Sequence, residues 1–307
     1  MKAFAPDVAA RALALWHGGE VARRTLSRLA TSGNDVWRFD HDGRPFILRL
    51  THDRWRTPLE NAAECAFLEH AFARGALVAR PIPARSGALV EMLEDASASV
   101  FTWADGDHVT RDSPRWNEAF FREWGRALAV LHEAATTYDG PPRWHWPDEG
   151  LLKDADRILP PGDDAIRRQR DELYALLAAL PRTRSSYGLI HADFGPQNFR
   201  YGADGRITAF DFGNLCTHWF VNDLVISLST LRRDPQRDRL RSWMLAGYES
   251  VRPLDPGPWA ERNTLLQLRV LYVYLSRLVL FGEAPTAEQR GTLAQLRASV
   301  LERVSWP

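Results

Sequence analysis

His191-Ala-Asp193-Phe-Gly-Pro-Gln-Asn198 follows the short apolar run Tyr187-Gly-Leu-Ile190 and precedes a second acidic signature, Asp211-Phe212-Gly213. The apolar run is a strand signal that delivers His191-Ala-Asp193 onto a loop. Between Asn198 and Asp211, the segments Phe199-Arg-Tyr201 and Ile207-Thr-Ala-Phe210 flank Ala203-Asp-Gly-Arg206, a pattern that predicts a hairpin with a tight turn. Its pairing returns Asp211 to the neighbourhood of Asn198. One carboxylate, one amide and a second carboxylate converge through local structure alone.

Those residue types suit one chemistry. An aspartate within hydrogen-bonding reach of a substrate hydroxyl orients it and accepts its proton. An amide oxygen and a carboxylate are hard ligands for Mg²⁺, which bridges nucleotide phosphates. Asp193 is then the catalytic base, Asn198 and Asp211 are metal ligands, and His191 braces the loop. Taken singly the pieces are common: H-x-D-x-x-x-x-N fixes three positions, and both Asp204-Gly205 and Asp211-Phe-Gly also spell turns. A metal-dependent hydrolase could draw on His191, Asp193 and Asp211. The kinase reading rests on the pieces occurring together, on a loop and a hairpin, within a helical region that follows a β-rich one.

That order is legible outward from the motif. An amphipathic helix is predicted over residues 4–17, then strands at Val21–Leu29, Asp35–Phe39 and Pro45–Leu50, a helix at Leu59–Arg74 closed by Gly75, and short strands at Ala88–Leu93 and Ser99–Trp103. Asp105-Gly106-Asp107 marks a boundary between residues 1–104 and residues 105–307. Beyond it Ser113-Pro114 reads as a helix start, Phe120, Phe121, Trp124, Leu128 and Leu131 form one apolar stripe, Arg167–Leu180 is helical, and helices resume from Asp223. The fold class is α+β: a small antiparallel lobe with one helix, then a larger, mainly helical lobe.

Composition narrows the partners. The 307 residues carry 39 basic and 39 acidic side chains, so no global field points to nucleic acid or a membrane surface. The two cysteines, Cys65 and Cys216, are too few for a disulfide framework. Pro6, Asp7 and Arg11 interrupt any signal-peptide core, and the apolar stretch Leu265–Phe281 contains Gln267, Arg269 and Arg277, so a buried helix and a cytoplasmic location are expected, as monomer or homodimer. The only lysines are Lys2 and Lys153. Most of the twelve tryptophans, Trp116 and Trp124 among them, suit helical core faces. Trp144 and Trp146, beside His145, are candidates for a substrate pocket, and Trp219 for the same cleft.

The stretch His191 to Asn198 with Asp211-Phe212 resembles the catalytic and metal-binding motifs of the aminoglycoside phosphotransferase and choline kinase superfamily, whose fold is protein-kinase-like. His-Gly-Asp is the commoner opening there, so Ala192 departs from the pattern. Asp211-Phe-Gly-Asn-Leu-Cys-Thr-His-Trp-Phe-Val-Asn-Asp223-Leu resembles a subgroup reading D-F-D-D, then W-F and D-L, as does Gly247-Tyr248 further on. Gly213 and Asn214 stand where that pattern is acidic or polar, so a second metal carboxylate is not implied. The resemblance assigns Asp223 to supporting the catalytic loop from a helix start.

On the nucleotide side, the resemblance implies a basic residue on the third strand paired with a helix glutamate. Arg49 holds the place usually taken by lysine, with Glu64 as partner and Glu60 as the alternative one helical turn earlier. The turn Ser32-Gly33-Asn34 resembles the nucleotide-covering loop, and Thr102-Trp103 lies at the expected hinge. The implied activity is transfer of the γ-phosphoryl group of ATP or GTP, with Mg²⁺, to a hydroxyl of a small molecule: an amino alcohol, sugar or aminoglycoside-like antibiotic. No dense acidic run suited to a cationic acceptor is present, only short pairs such as Asp148-Glu149 and Asp163-Asp164, so antibiotic resistance does not follow. A stress-response-type protein kinase and, because of Arg49, a nucleotide-binding pseudokinase scaffold are the alternatives.

Overall fold

Alternate residues of a strand face opposite ways, and in the N-terminal half that sorting separates core from cavity. The computed structural model describes residues 3–17, 19–32 and 34–303. Helices α1 (Pro6–Leu13) and α2 (Glu20–Thr25) lead into strands β1 (Ser27–Ser32), β2 (Asn34–His41) and β3 (Arg44–His52), helix α3 (Pro58–Ala73), and strands β4 (Pro81–Ile82), β5 (Glu91–Met92) and β6 (Ala96–Thr102). The strands form one antiparallel sheet in the order β1-β2-β3-β6-β4, with β5 also on β6. Trp37, Leu48, Leu50, Ala98 and Val100 turn to one face and form a core with Phe4, Ala9, Leu13 and Trp16. Register places Val36 opposite Arg49, Arg49 opposite Ser99, and Ile47 opposite Phe101, one residue out of phase with that core. Arg49 therefore lies on the other face of the sheet.

One expectation changes here. Residues 20–25 form a helix, not the start of a strand: Glu20 in its first turn and Arg23 and Arg24 in its last complement the helix dipole, and Ala22 is its buried side chain. The strand begins only at Ser27. Helix α3 starts where Thr57 and Glu60 form a reciprocal capping box around Pro58 at the first turn.

The chain continues through α4 (Glu118–Ala135), α5 (Gly150–Lys153), α6 (Ala155–Ile158), α7 (Asp164–Ala178), β7 (Tyr187–Ile190), the hairpin β8 (Phe199–Tyr201) and β9 (Ile207–Ala209), β10 (Cys216–Trp219), α8 (Phe220–Ser229), α9 (Arg237–Glu249), α10 (Pro256–Ala260), α11 (Arg262–Phe281) and α12 (Ala287–Leu301). It divides into two compact units. The first comprises Met1–Trp116, Thr137–Arg143 and Pro196–Gly213; the second comprises Asn117–Thr136, Trp144–Gly195 and Asn214–Pro307. Helix α4 starts at Asn117, whose side chain accepts the Phe120 N–H, and not at Ser113, whose hydroxyl closes a local turn on the Arg115 N–H. In the first unit the β8–β9 hairpin pairs Phe199 with Ala209 and Tyr201 with Ile207. It is tied down by the Ala79 N–H on the Ala209 carbonyl, 2.8 Å, and the Ala209 N–H on the Leu77 carbonyl, 2.9 Å.

In the second unit β10 pairs antiparallel with β7, Cys216 opposite Ile190 and Trp219 opposite Tyr187, and α8 follows without a break. Its core draws Val221 and Val225 from α8, Leu173 and Leu177 from α7, and Val300 from α12 onto α11. By length and composition α11 could cross a membrane, yet Leu265, Leu268, Leu271 and Leu275 are buried within the unit. Helices α4 and α9 meet backbone to backbone: a Cβ at Gly125 would overlap the Met244 carbonyl oxygen, and one at Gly247 the Arg122 carbonyl oxygen. The atoms in the way are main chain and cannot swing aside. Gly247→Ala is expected to cost about 3 kcal/mol or more through overpacking, read as a fall in the urea unfolding midpoint. An unchanged midpoint would show that the two helices slide apart freely.

Candidate functional site

The cavity face of the N-terminal sheet carries the first part of the site. A cavity of about 290 Å³ in the first unit is lined by Val36, Ile47, Arg49, Glu64, Phe101, Thr102, Trp103, Asn198 and Asp211, among others. The guanidinium of Arg49 makes a bidentate fork with Glu64, Nη1 to Oε1 at 2.7 Å and Nη2 to Oε2 at 2.9 Å. Both residues are buried, and the Arg49 carbon Cζ lies 4.8 Å from the Phe101 ring centre. Burial alone lowers the pKa of Arg49. The opposing charge and hydrogen bonds of Glu64, with a contribution from Asp211, more than reverse this and raise it. The Arg49 Nε has no protein partner, an orphaned buried donor in a cavity wall that suits a ligand oxygen. Glu60, the alternative partner, is spent on the α3 cap. The Cys65 thiol beside this pair is pushed up to about 12 by burial and by Glu64, which leaves it inert.

The hairpin does what its sequence implies. The Phe210 N–H donates to the Asn198 carbonyl at 3.0 Å, which brings the residue before Asp211 back to Asn198. Asp211 takes a left-handed backbone, φ 61°, which aspartate tolerates. The following Gly213 carbonyl accepts from Arg143 at 3.0 Å and Arg56 at 3.1 Å, so two guanidinium groups hold this segment. Thr102 exchanges hydrogen bonds with the Arg80 backbone, and Trp103 lines the cavity beyond it. Asn34 is not among the lining residues; its side chain accepts the Thr51 hydroxyl at 2.9 Å. Gly33 and the Ser32 side chain lie outside the described residues. Arg200, whose Cζ sits 5.0 Å from the Phe210 ring centre, joins the lining without any motif to announce it. Among the described residues no group of three or more His, Cys, Asp or Glu forms a metal-binding cluster. Asn198 adds an amide and Asp211 a carboxylate to the same lining, oxygen donors of the kind a phosphate-bound cation takes.

The second unit carries the loop from His191 to Asp193. Asp223, fully buried on α8, accepts the backbone N–H groups of His191 at 2.8 Å and Ala192 at 2.7 Å. Its third partner is His132 Nε2 at 3.2 Å. Burial lowers the His132 pKa despite the carboxylate, so a neutral ring donates from Nε2 and accepts the Tyr248 hydroxyl at Nδ1, 3.0 Å. The His191 ring is buried edge-on to Phe194, and Ser227 donates to the Phe194 carbonyl at 2.6 Å. Ala192 sits at φ 62°, a conformation natural to the glycine of His-Gly-Asp. Asp193 pairs with Arg269 of α11, Oδ1 to Nη2 at 3.1 Å.

Beside that loop lies a smaller cavity of about 50 Å³, lined by Trp146, Glu149, Ala192, His218, Asn222, Arg269 and Tyr272, among others. Trp146 is among its lining residues. Trp219 does not: it is fully buried in the core, and its Nε1 donates to the Pro181 carbonyl at 2.9 Å. His145 is exposed and bonds the Tyr187 hydroxyl at 3.0 Å. His218 accepts the Trp219 N–H at Nδ1, 2.8 Å, which puts the ring proton on Nε2. Burial pushes its pKa down to about 3. Glu149 caps α5 through the Leu151 N–H, 2.8 Å.

Comparison with known proteins resolves what this arrangement is. The model of the phosphotransferase enzyme family matches residues 25–261. The chain belongs to that family. Amicoumacin kinase of Bacillus subtilis (strain 168) is 31% identical over 264 residues, 80% of this chain and 77% of its own. Homoserine kinase of Methylobacterium sp. (strain 4-46) is 33% identical over 224 residues, 69% of this chain and 67% of its own. A solved amicoumacin kinase in complex with AMP-PNP, Ca²⁺ and its ligand superposes with TM-score 0.90 at 26% identity, covering 97% of this chain and 93% of that one. A microcompartment-associated aminopropanol kinase, 23% identical and covering 96% and 95% of the two chains, shares the fold at TM-score 0.76. The chain is thus a phosphotransferase of α+β kinase-like fold that acts on small-molecule hydroxyl groups.

Two outcomes test this geometry. Ala192→Gly is expected to raise stability by about 0.5–1 kcal/mol, since glycine takes the left-handed conformation without steric cost while losing more chain entropy; chemical denaturation measures it. A second test concerns pH. The His218 pKa is lower folded than unfolded, so the unfolded chain binds the proton first, and this contribution is present above about pH 6.5 and lost as pH falls toward 3. The difference in stability between wild type and His218→Asn is expected to fall by up to about 1.4 kcal/mol per pH unit across that window. A flat difference would contradict a neutral buried ring.

Proposed function

We propose that this chain transfers the γ-phosphoryl group of ATP, with Mg²⁺, to a hydroxyl of an amine-bearing small molecule. The observation that carries the reading is the content of the larger cavity: a basic fork, an orphaned Arg49 donor, an amide and a carboxylate in one wall. Arg49 contacts phosphate oxygens through donors that Glu64 leaves available, and Glu64 fixes the plane of the fork. Thr102 and Trp103 border the base. Asn198 and Asp211 would hold the magnesium ion, which would supply positive charge against the phosphates. ATP is favoured as donor over GTP by the solved relative's AMP-PNP.

The acceptor side belongs to the second unit. Asp193 receives the hydroxyl proton while the acceptor oxygen attacks phosphorus, and His191, through its backbone bond to Asp223, keeps the loop in place. A cavity of about 50 Å³ seats one end of an acceptor, and Glu149 in its wall offers negative charge to an ammonium group. Amicoumacin and homoserine kinases as relatives agree with an amino-alcohol acceptor. The protein is proposed to work in the cytoplasm.

Nucleotide turnover with Mg²⁺ and ATP or GTP, against L-homoserine, 1-amino-2-propanol and amicoumacin, tests the whole reading. Asp193→Asn is expected to lower kcat at least about a hundredfold while leaving the KM for ATP unchanged, the signature of a lost general base. Phosphorylated acceptor formed at wild-type rate by that variant would remove Asp193 from the mechanism. ATP consumed with label appearing only on protein would instead favour a protein kinase.

A further inference from the structure

We propose that Arg269 is a positioning residue that reserves Asp193 for the acceptor hydroxyl and withholds it from water. The inference rests on Asp193 as the base and goes beyond it. The pair joins residues 76 apart in sequence, Arg269 on α11 and Asp193 on the catalytic loop, at 3.1 Å. The two side chains are 24% and 29% exposed, so the pair adds little to the stability of the fold, and a ligand can reach and displace it. Arg269 also lines the smaller cavity with Ala192, Tyr272 and Glu149, and its Cζ lies 5.4 Å from the Tyr272 ring centre. The same guanidinium thus touches the base and faces the space an acceptor enters.

The chemistry gives this contact a purpose. In transfer, an oxygen lone pair of the acceptor forms a bond to the γ-phosphorus. The bond from that phosphorus to the bridging oxygen breaks with its electron pair on the departing ADP, and the hydroxyl proton passes to Asp193. Water can take the acceptor's place in the same step, with inorganic phosphate as product. With Arg269 seated on one carboxylate oxygen, the base is turned and its charge shared, and water brings no binding energy to change that. An acceptor filling the cavity engages Arg269 and Tyr272 directly. It can redirect the guanidinium and leave the carboxylate aimed at its own hydroxyl, so that correct binding assembles the base.

The test compares acceptor-free hydrolysis of MgATP with transfer to whichever of the three acceptors the wild type phosphorylates. It uses full-length wild type, Arg269→Met, Arg269→Lys, Asp193→Asn and the Arg269→Met/Asp193→Asn double variant. Arg269→Met is expected to raise the ratio of hydrolysis to transfer about tenfold, the rate equivalent of one charge-assisted hydrogen bond. Arg269→Lys, which keeps a charge on the carboxylate, should stay near the wild-type ratio. In the Asp193→Asn background Arg269→Met should change nothing. An unmoved ratio, a parallel fall of both rates, or the same rise without Asp193 each overturns the proposal. Wild-type transfer by Asp193→Asn alone overturns the base assignment itself, a result that does not involve Arg269.

Discussion

A carboxylate with no access to water must be surrounded by donors, and Asp223 meets that requirement with the loop that begins at His191. Two of its hydrogen bonds are the main-chain N–H groups of His191 and Ala192, and the third comes from His132. Removing the loop from this position would strand a buried charge, so the loop stays. The constraint runs outward: His132 on α4 is held in turn by Tyr248 on α9, and α4 and α9 approach closely enough for this only because Gly125 and Gly247 lack side chains. Ala192 keeps a left-handed backbone because its N–H is claimed by Asp223. The strain is local and its compensation is buried.

The two cavities divide the chemistry by charge. In the first unit a buried guanidinium is matched atom for atom by Glu64, a pair whose desolvation cost its attraction offsets only with good geometry. Such a pair is weak evidence for stability and better evidence for a fixed orientation. The second unit holds a looser pair, Arg269 on Asp193, whose partial exposure fits a contact that a ligand can exchange. One arginine is held in a fixed orientation at a cavity wall, the other sits in a pair open enough to exchange.

Local sequence carried much of this site. The strand–loop–hairpin order from Tyr187 to Asp211 is legible because each piece closes over a few residues, and Arg49 and Glu64 meet because a strand and a helix of ordinary geometry put them there. What was not legible is long-range. Arg269 reaches Asp193 across 76 residues and Tyr248 reaches His132 across 116, and no periodicity encodes either. The β7–β10 pairing escaped notice because Cys216–Trp219 alternates too briefly to signal a strand. Residues 20–25 misled in the other direction: Val21 and Thr25 suit a strand singly, while Ala22 and the dipole-matched charges around them decide for a helix. Trp219 suggested a ligand contact by its place after Asp211, yet it fills the core.

The absence of lysine from the described lining of the larger cavity has a practical corollary. Reagents that find kinases in a proteome deliver an acyl group from a nucleotide scaffold to the amine beside the phosphates. On the proposed reading the group beside them is the Arg49 guanidinium, which is no nucleophile at neutral pH. With nucleotide bound there, the protein would still carry no covalent mark. Activity-based surveys of that kind will pass over it, and chains like it, while they are fully at work.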